Sequence, residues 1–210
     1  LKREPVHRTW HHHELTFRSM YQNAEHYVLP LSHDEVVHGK GSLLGRMPGD
    51  DWQRFANVRL LLGYQFTVPG VPLLFMGEEL APWDEWNHDR SLHWHLADYP
   101  AHGGVKRWVA HLNAMRRESS GLWARDRDPG GFAWVDADDS DRSIYAYLRF
   151  APGDGAHLLV ALNATPTPRP GVPFGVPPGR WELVANSDAE AFGGSGHHVD
   201  PVVDAHGPGR

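Results

Sequence analysis

Residues Leu29 to Gly45 read LPLSHDEVVHGKGSLLG. A short apolar run, Tyr27 to Leu31, stops at Ser32, His33, Asp34 and Glu35, and a loop holding Gly39, Lys40, Gly41 and Gly45 follows. A buried-type strand that delivers a His-Asp-Glu cluster at its C-terminal end is how parallel α/β proteins assemble functional sites. The chain then alternates. Asp50 or Asp51 suits a helix N-cap. Trp52, Phe55, Val58, Leu62 and Phe66 recur every three or four residues, with Leu61 on the same side, so the spacing predicts an amphipathic helix. Pro69-Gly70 ends it. Val71 to Met76 (VPLLFM) reads as a second apolar strand, with Gly77-Glu78-Glu79 at its C-terminal end. A second helix is expected from about Gly104 to Arg117, with Val105, Trp108, Val109, Leu112 and Met115 on one face. Strand, helix, strand, helix implies a parallel sheet. Two such units do not close a barrel, which takes eight strands and ~250 residues.

The composition changes near Gly121. Short strands are expected at Gly131 to Val135, Ser143 to Phe150, His157 to Asn163 and Arg180 to Asn186. Turn signals at Pro129-Gly130-Gly131, Pro152-Gly153-Asp154-Gly155 and Pro177-Pro178-Gly179 punctuate them. Ser143 to Phe150 alternates as a half-buried antiparallel strand would. This half reads as an all-β sandwich. The end, Gly193 to Arg210, is rich in Gly, His and Pro and shows no evident closing strand.

The net charge of -6 with His neutral argues against nucleic acid as a partner. No apolar run is long enough to span a bilayer, because Pro69, Gly70 and Pro72 interrupt the best candidate. The absence of cysteine favours a reducing, cytoplasmic location. The opening Leu1-Lys2-Arg3-Glu4-Pro5 is neither a signal peptide nor a start methionine, so the chain is expected to begin within a longer protein. Nine Trp in an acidic chain fit sugar binding, since flat rings stack on pyranose faces, although most of them are expected in the core or at a domain interface.

Three readings of Ser32-His33-Asp34-Glu35 stand side by side. A His-Asp pair at a loop start serves as a cap or ion pair. His33, Asp34 and His38 offer imidazole and carboxylate to a metal, without a matching zinc spacing. A carboxylate at a strand end also accepts hydrogen bonds from sugar hydroxyls while an imidazole donates one. His11-His12-His13 reads as a partly exposed polar segment, because consecutive helical residues point about 100° apart and do not converge. His197-His198 carries no signal.

The order of motifs resembles the alpha-amylase superfamily in the form carried by glycogen branching enzymes. The apolar strand, Ser32-His33-Asp34-Glu35-Val36-Val37-His38-Gly39-Lys40, then Met47-Pro48-Gly49-Asp50 and Trp52-Gln53 follow that family's pattern. Leu73 to Gly77 resembles its eighth barrel strand, and Glu85-Trp86-Asn87-His88-Asp89, Ser91-Leu92 and Trp94-His95-Leu96 the segment after it. Phe132, Trp134, Asn186-Ser187-Asp188 and Gly193-Gly194-Ser195-Gly196 resemble its C-terminal β-domain. Glu78-Glu79-Leu80 departs from the pattern, which has a small or amide residue followed by Glu-Phe. A Gly-Glu-Glu also occurs in relatives that hydrolyse trehalose-ended maltosaccharides.

The resemblance implies α/β plus all-β architecture. Residues 1–120 would hold the last two βα units of a (β/α)8 barrel, and residues 121–210 a C-terminal antiparallel β-sandwich without its last strand. It implies an α-glucan substrate (glycogen, amylose or maltooligosaccharide), α-1,6 branch formation by retaining double displacement, and no metal or redox cofactor. Asp34 would be the transition-state-stabilising carboxylate and His33 a ligand of the same sugar. Glu35 and Lys40 would be rim contacts, and Trp86, Asn87 and Trp94 would line the glucan path. The family's nucleophile Asp, its preceding Arg and its general acid Glu match no residue here. They belong to earlier strands, so this chain alone is expected to be inactive, a glucan-binding piece awaiting the N-terminal part of its barrel.

Overall fold

The computed structural model describes residues 1–206; Gly207 to Arg210, the end of the stretch expected to lack a closing strand, lie outside the described residues. The chain opens with a 3-10 turn at Pro5–His11, helix α1 (His13–Thr16) and a 3-10 turn at Phe17–Met20. Strand β1 (Val28–Leu31), helix α2 (Asp51–Thr67) and strand β2 (Val71–Leu74) follow. The two strands run parallel, with Val28 opposite Val71 and Leu31 opposite Leu74. A parallel pair needs a crossover, and α2 is that crossover.

Local chemistry sets the ends of α2. The Asp50 carboxylate accepts from the Gln53 backbone N–H at 2.8 Å, and the Gln53 side chain accepts from the Asp50 N–H at 3.0 Å. This reciprocal cap satisfies two backbone donors that the first turn leaves free. After Val68, Pro69 cannot continue the helix and Gly70 turns the chain at φ +122°. A Cβ on Gly70 would meet Leu29 at 2.9 Å and the Tyr27 carbonyl at 3.0 Å, so only glycine lets β2 begin beside β1.

Neither strand is buried as the apolar runs suggest. In both, exposed and half-buried residues alternate. Leu31 and Leu74 turn inward to the helices, whereas Val28 and Val71 are each 53% exposed. A parallel strand is buried only where both faces are covered, and among the described residues this sheet has two strands.

Helix α3 (Pro100–Glu118) begins about a turn before the expected start. Pro100 supplies the first helical residue, where its missing N–H is no loss. Val105, Trp108, Val109, Leu112 and Met115 are buried as expected, against Phe55, Val58, Leu62 and Phe66 of α2. Trp108 Nε1 donates to the Arg59 carbonyl at 2.9 Å. Trp52 departs from expectation. It sits in the first turn of α2, outside the cluster that starts at Phe55, and is 44% exposed.

Strands β3 (Phe132–Asp136), β4 (Ile144–Arg149) and β5 (Leu158–Asn163) form an antiparallel sheet in that order. The expected half-burial of β4 is corrected: all six residues are buried. It is the central strand, and Tyr145 and Tyr147 pack with Leu60, Tyr64 and Val68 from the α2 region. This face of the sheet therefore lies on a helix, where a sandwich would place a second sheet. Strands β6 (Gly179–Glu182) and β7 (Val202–Ala205) form a separate antiparallel pair. β7 corrects the expectation of no closing strand. Its Val202-Val203 pair is β-branched but only four residues extend, too few to show as a periodic pattern.

The His11-His12-His13 run is partly exposed, as expected, and His12 is its covered member. It is buried and stacks on Tyr145 at 3.9 Å, while His13 is exposed. Among the described residues no helix is long and apolar enough to cross a membrane.

Gly104 brings α3 against the backbone at Phe192. A Cβ there would come within 2.4 Å of the Phe192 carbonyl oxygen, a backbone atom that cannot swing aside. Gly104→Ala should destabilise the chain by about 1–3 kcal/mol, read as a lower denaturant midpoint with an unchanged slope.

Candidate functional site

Beyond β1 the chain turns at once. Ser32 caps the 3-10 turn His33–Glu35, its Oγ accepting from the Asp34 N–H at 3.2 Å. The turn places His33 and Asp34 side by side at the C-terminal end of the parallel strands, with Nε2 and Oδ1 3.4 Å apart. Their side chains are 59% and 72% exposed. Among the described residues, no group of three His, Asp or Glu side chains is arranged to hold a metal ion, so His33, Asp34 and His38 do not form the site considered from their spacing.

An open cleft of about 500 Å³ lies beside this turn. His33, Phe75, Trp86 and Asn87 line it, with Val37, His38, Glu85, His88 and Asp89. Phe75, just after β2, lies between His33 and Trp86, with ring centroids at 5.9 and 5.0 Å. The Trp86 N–H donates to the Val36 carbonyl at 3.0 Å, joining the segment after β2 to the segment after β1. An aromatic wall beside an imidazole and a carboxylate suits a ligand with apolar faces and hydroxyl edges.

Of the residues singled out from sequence, His33, Trp86 and Asn87 meet at the cleft, and Asp34 adjoins it through His33. Glu35 turns instead toward Arg46, at 3.6 Å. Lys40 folds back, its Nζ donating to the Asp34 carbonyl at 2.5 Å. Trp94 is 59% exposed and does not line the cleft.

Two acids gain significance only in three dimensions. Glu85 accepts from the Gly39 N–H at 3.0 Å through Oε1 and from the Gly41 N–H at 2.7 Å through Oε2. These two bonds hold its carboxyl below the usual carboxylate range. The clamped loop has φ of 59°, 79° and 72° at His38, Gly39 and Gly41. Such left-handed turns expose successive backbone donors, which one carboxylate can gather. Glu85 thus holds the loop whose Lys40 braces Asp34. The glycines on either side of Lys40 hint at a turn in the sequence, but nothing there ties it to an acid so far along the chain. Glu78, in the 3-10 turn Glu78–Leu80, is 3% exposed. Burial pushes its carboxyl up to about 7, opposed by Arg46 and reinforced by Glu79.

Residues 134–210 match the family model described as "Alpha amylase, C-terminal all-beta domain". The chain is 54% identical to 1,4-alpha-glucan branching enzyme GlgB of Pseudomonas aeruginosa, over 92% of this chain and 26% of that enzyme. It is 52% identical to the enzyme of that name from Albidiferax ferrireducens, over 93% of this chain and 32% of that enzyme. With GlgB 1 of Xanthomonas euvesicatoria pv. vesicatoria it shares 54% identity, over 91% and 26% respectively. The chain thus spans about a quarter to a third of the length of the relatives it matches.

Two outcomes follow from the acids. Glu85→Gln removes one of the two paired acceptors, so the Gly39 and Gly41 amides should exchange with deuterium at least about tenfold faster, a single hydrogen bond being worth about that much. In the wild type these amides should stay protected until pH falls below the ordinary carboxylate range, because the lowered value keeps Glu85 ionised. Glu78 has the opposite sign. Its folded form holds a proton that the unfolded chain has released, so stability should fall as pH rises from about 4.5 to about 7. Glu78→Gln should therefore raise the melting temperature at pH 8 more than at pH 5, checked by calorimetry at both.

Proposed function

We propose that this homologue of the 1,4-alpha-glucan branching enzymes supplies the C-terminal part of a branching-enzyme active site, with the carboxylate that stabilises the transition state. Residues 1–120 contribute the last two βα units of a (β/α)8 barrel, and residues 121–210 the C-terminal β-domain. In the assembled enzyme an α-1,4 link is cut, the glucan is held as a covalent glycosyl-enzyme, and the chain passes to a 6-hydroxyl with net retention. A cytoplasmic setting goes with this reading, supported by the cysteine-free composition.

The observation that carries the proposal is the Ser32-capped turn at the end of β1. It sets His33 and Asp34 together at the C-terminal end of a parallel pair, the edge at which barrel enzymes build their sites. In the proposed mechanism Asp34 neither attacks nor protonates. It accepts hydrogen bonds from sugar hydroxyls as oxocarbenium character develops, and these bonds strengthen toward the transition state. His33 donates to the same sugar, and the Phe75–Trp86 wall takes the apolar faces of the glucan. Lys40 acts indirectly through its bond to the Asp34 carbonyl. No residue here matches the expected nucleophile or general acid, so the chain by itself binds glucan without exchanging bonds.

Loss of iodine staining on amylose tests the proposal, comparing this chain with one extended upstream through the missing strands. Only the extended protein should branch amylose, and Asp34→Asn in it should lower the rate by at least about 100-fold, as loss of a preorganised transition-state contact does. Branching by the 210-residue chain alone would return the catalytic pair to residues present here.

A further inference from the structure

His38 lines the main cleft with His33, Phe75 and Trp86. Its backbone sets it apart from them, being left-handed at φ +59°. A Cβ crowds the chain in that conformation, so the position is unfavourable for any residue but glycine. Gly39 and Gly41, at +79° and +72°, follow that rule in the same loop. His38 breaks it. Histidine visits this region more readily than most side chains, but glycine does so without strain. A side chain kept at a strained position is one whose surroundings hold it there, and such positions gather where ligands are met.

The fold makes no use of the ring. The bonds that fix the loop run from the Gly39 and Gly41 N–H groups to Glu85 and from Lys40 to the Asp34 carbonyl, and none involves the His38 side chain. The residue is exposed, so its ring adds little to a core. The backbone on either side is nevertheless fixed. Val36 and Val37 are buried before it, and the Glu85 clamp follows it. The ring therefore stands at the cleft on a held backbone, with its nitrogens uncommitted to the loop. The ionised carboxylates at the cleft only accept hydrogen bonds, whereas a neutral imidazole carries one donor and one acceptor, and a sugar hydroxyl is matched by either.

We propose that His38 is a glucan-binding residue, its imidazole hydrogen-bonded to a hydroxyl of the glucan that lies along the Phe75–Trp86 wall. The contact is separate from those of His33 and Asp34, and the left-handed backbone is what presents the ring to the cleft. The inference rests on the glucan reading of the cleft.

His38→Gly removes the ring and suits the backbone, so the variant is expected to fold. What glycine gains in the left-handed region it loses in unfolded-chain freedom, and the melting temperature should stay within about 2 °C of wild type. Calorimetric titration should show maltoheptaose binding weakened about 3–10-fold, as loss of one hydrogen bond gives. Deuterium exchange at the Gly39 and Gly41 amides should stay within about threefold, because the Glu85 clamp is untouched. In wild type, the nuclear magnetic resonance signals of the His38 ring should shift as maltoheptaose is added. Equal affinity of wild type and variant, or ring signals that stay in place while wild type binds, would overturn the inference and leave the glucan cleft standing. A larger fall in melting temperature would overturn it by marking a packing role, and weaker binding with faster amide exchange would do so by marking a role in loop stiffness. Failure of folded wild type to bind maltoheptaose would remove the glucan reading and the inference together.

Discussion

Helix α2 is covered from two directions, and the rest of the structure depends on that. Its Phe55, Val58, Leu62 and Phe66 face α3, while Leu60 and Tyr64 meet Tyr145 and Tyr147 of the antiparallel sheet. Between these contacts Gln65 donates to the carbonyls of Leu29 in β1 and Leu73 in β2, at 2.7 and 2.9 Å. One helix thereby joins the parallel strands, the second helix and the β-domain. The carbonyls at its C-terminal end, which a helix cannot satisfy itself, are met from outside. Arg149 donates to the Thr67 carbonyl at 2.6 Å and Arg116 to the Phe66 carbonyl at 3.4 Å, with a further bond from Arg116 to the Gly70 carbonyl just beyond the helix at 2.8 Å. Asp126 sits between them, 2.5 Å from Arg149 and 3.6 Å from Arg116. The buried Arg149 and the half-buried Arg116 need such an anion, since an unpaired buried charge would destabilise the fold by several kcal/mol.

This junction explains why the site can be built on loops. Loops hold a geometry only when the elements beneath them are fixed. The segments after β1 and β2 are tied at three points: the Trp86 N–H to Val36, the Glu85 carboxylate to Gly39 and Gly41, and the Ser42 hydroxyl to the Trp83 carbonyl at 2.9 Å. Two of the three use a side chain from one loop on the backbone of the other. The cleft wall is therefore one unit, although its residues come from segments some forty positions apart in sequence.

Much of the fold is legible in the sequence because its determinants are local. Asp50 and Gln53 stand three apart and mark the start of α2, and Pro69-Gly70 marks its end. The periodicity of Val105, Trp108, Leu112 and Met115 names the buried face of α3. The sequence was silent where burial depends on a distant partner. The strand pattern of β4 cannot reveal that a helix covers one face of it, and the His11-His12-His13 run does not say that His12 will find Tyr145. β1 and β2 mislead in the other direction, since apolar residues record what a strand is suited to contact and not what lies beside it.

The site divides along the same line. His33, Asp34, Trp86 and Asn87 stand out in the sequence as a polar cluster at a strand end and an aromatic-polar motif, and the resemblance to branching enzymes attaches chemistry to them. That Glu85 would clamp a glycine turn, that Lys40 would brace the Asp34 backbone and that Glu78 would be buried beside the cleft were decided by the tertiary structure alone. The reason is physical. Element type follows from propensity and spacing along a few consecutive residues, whereas the ionisation and partners of a carboxyl follow from what the fold brings within a few ångströms of it.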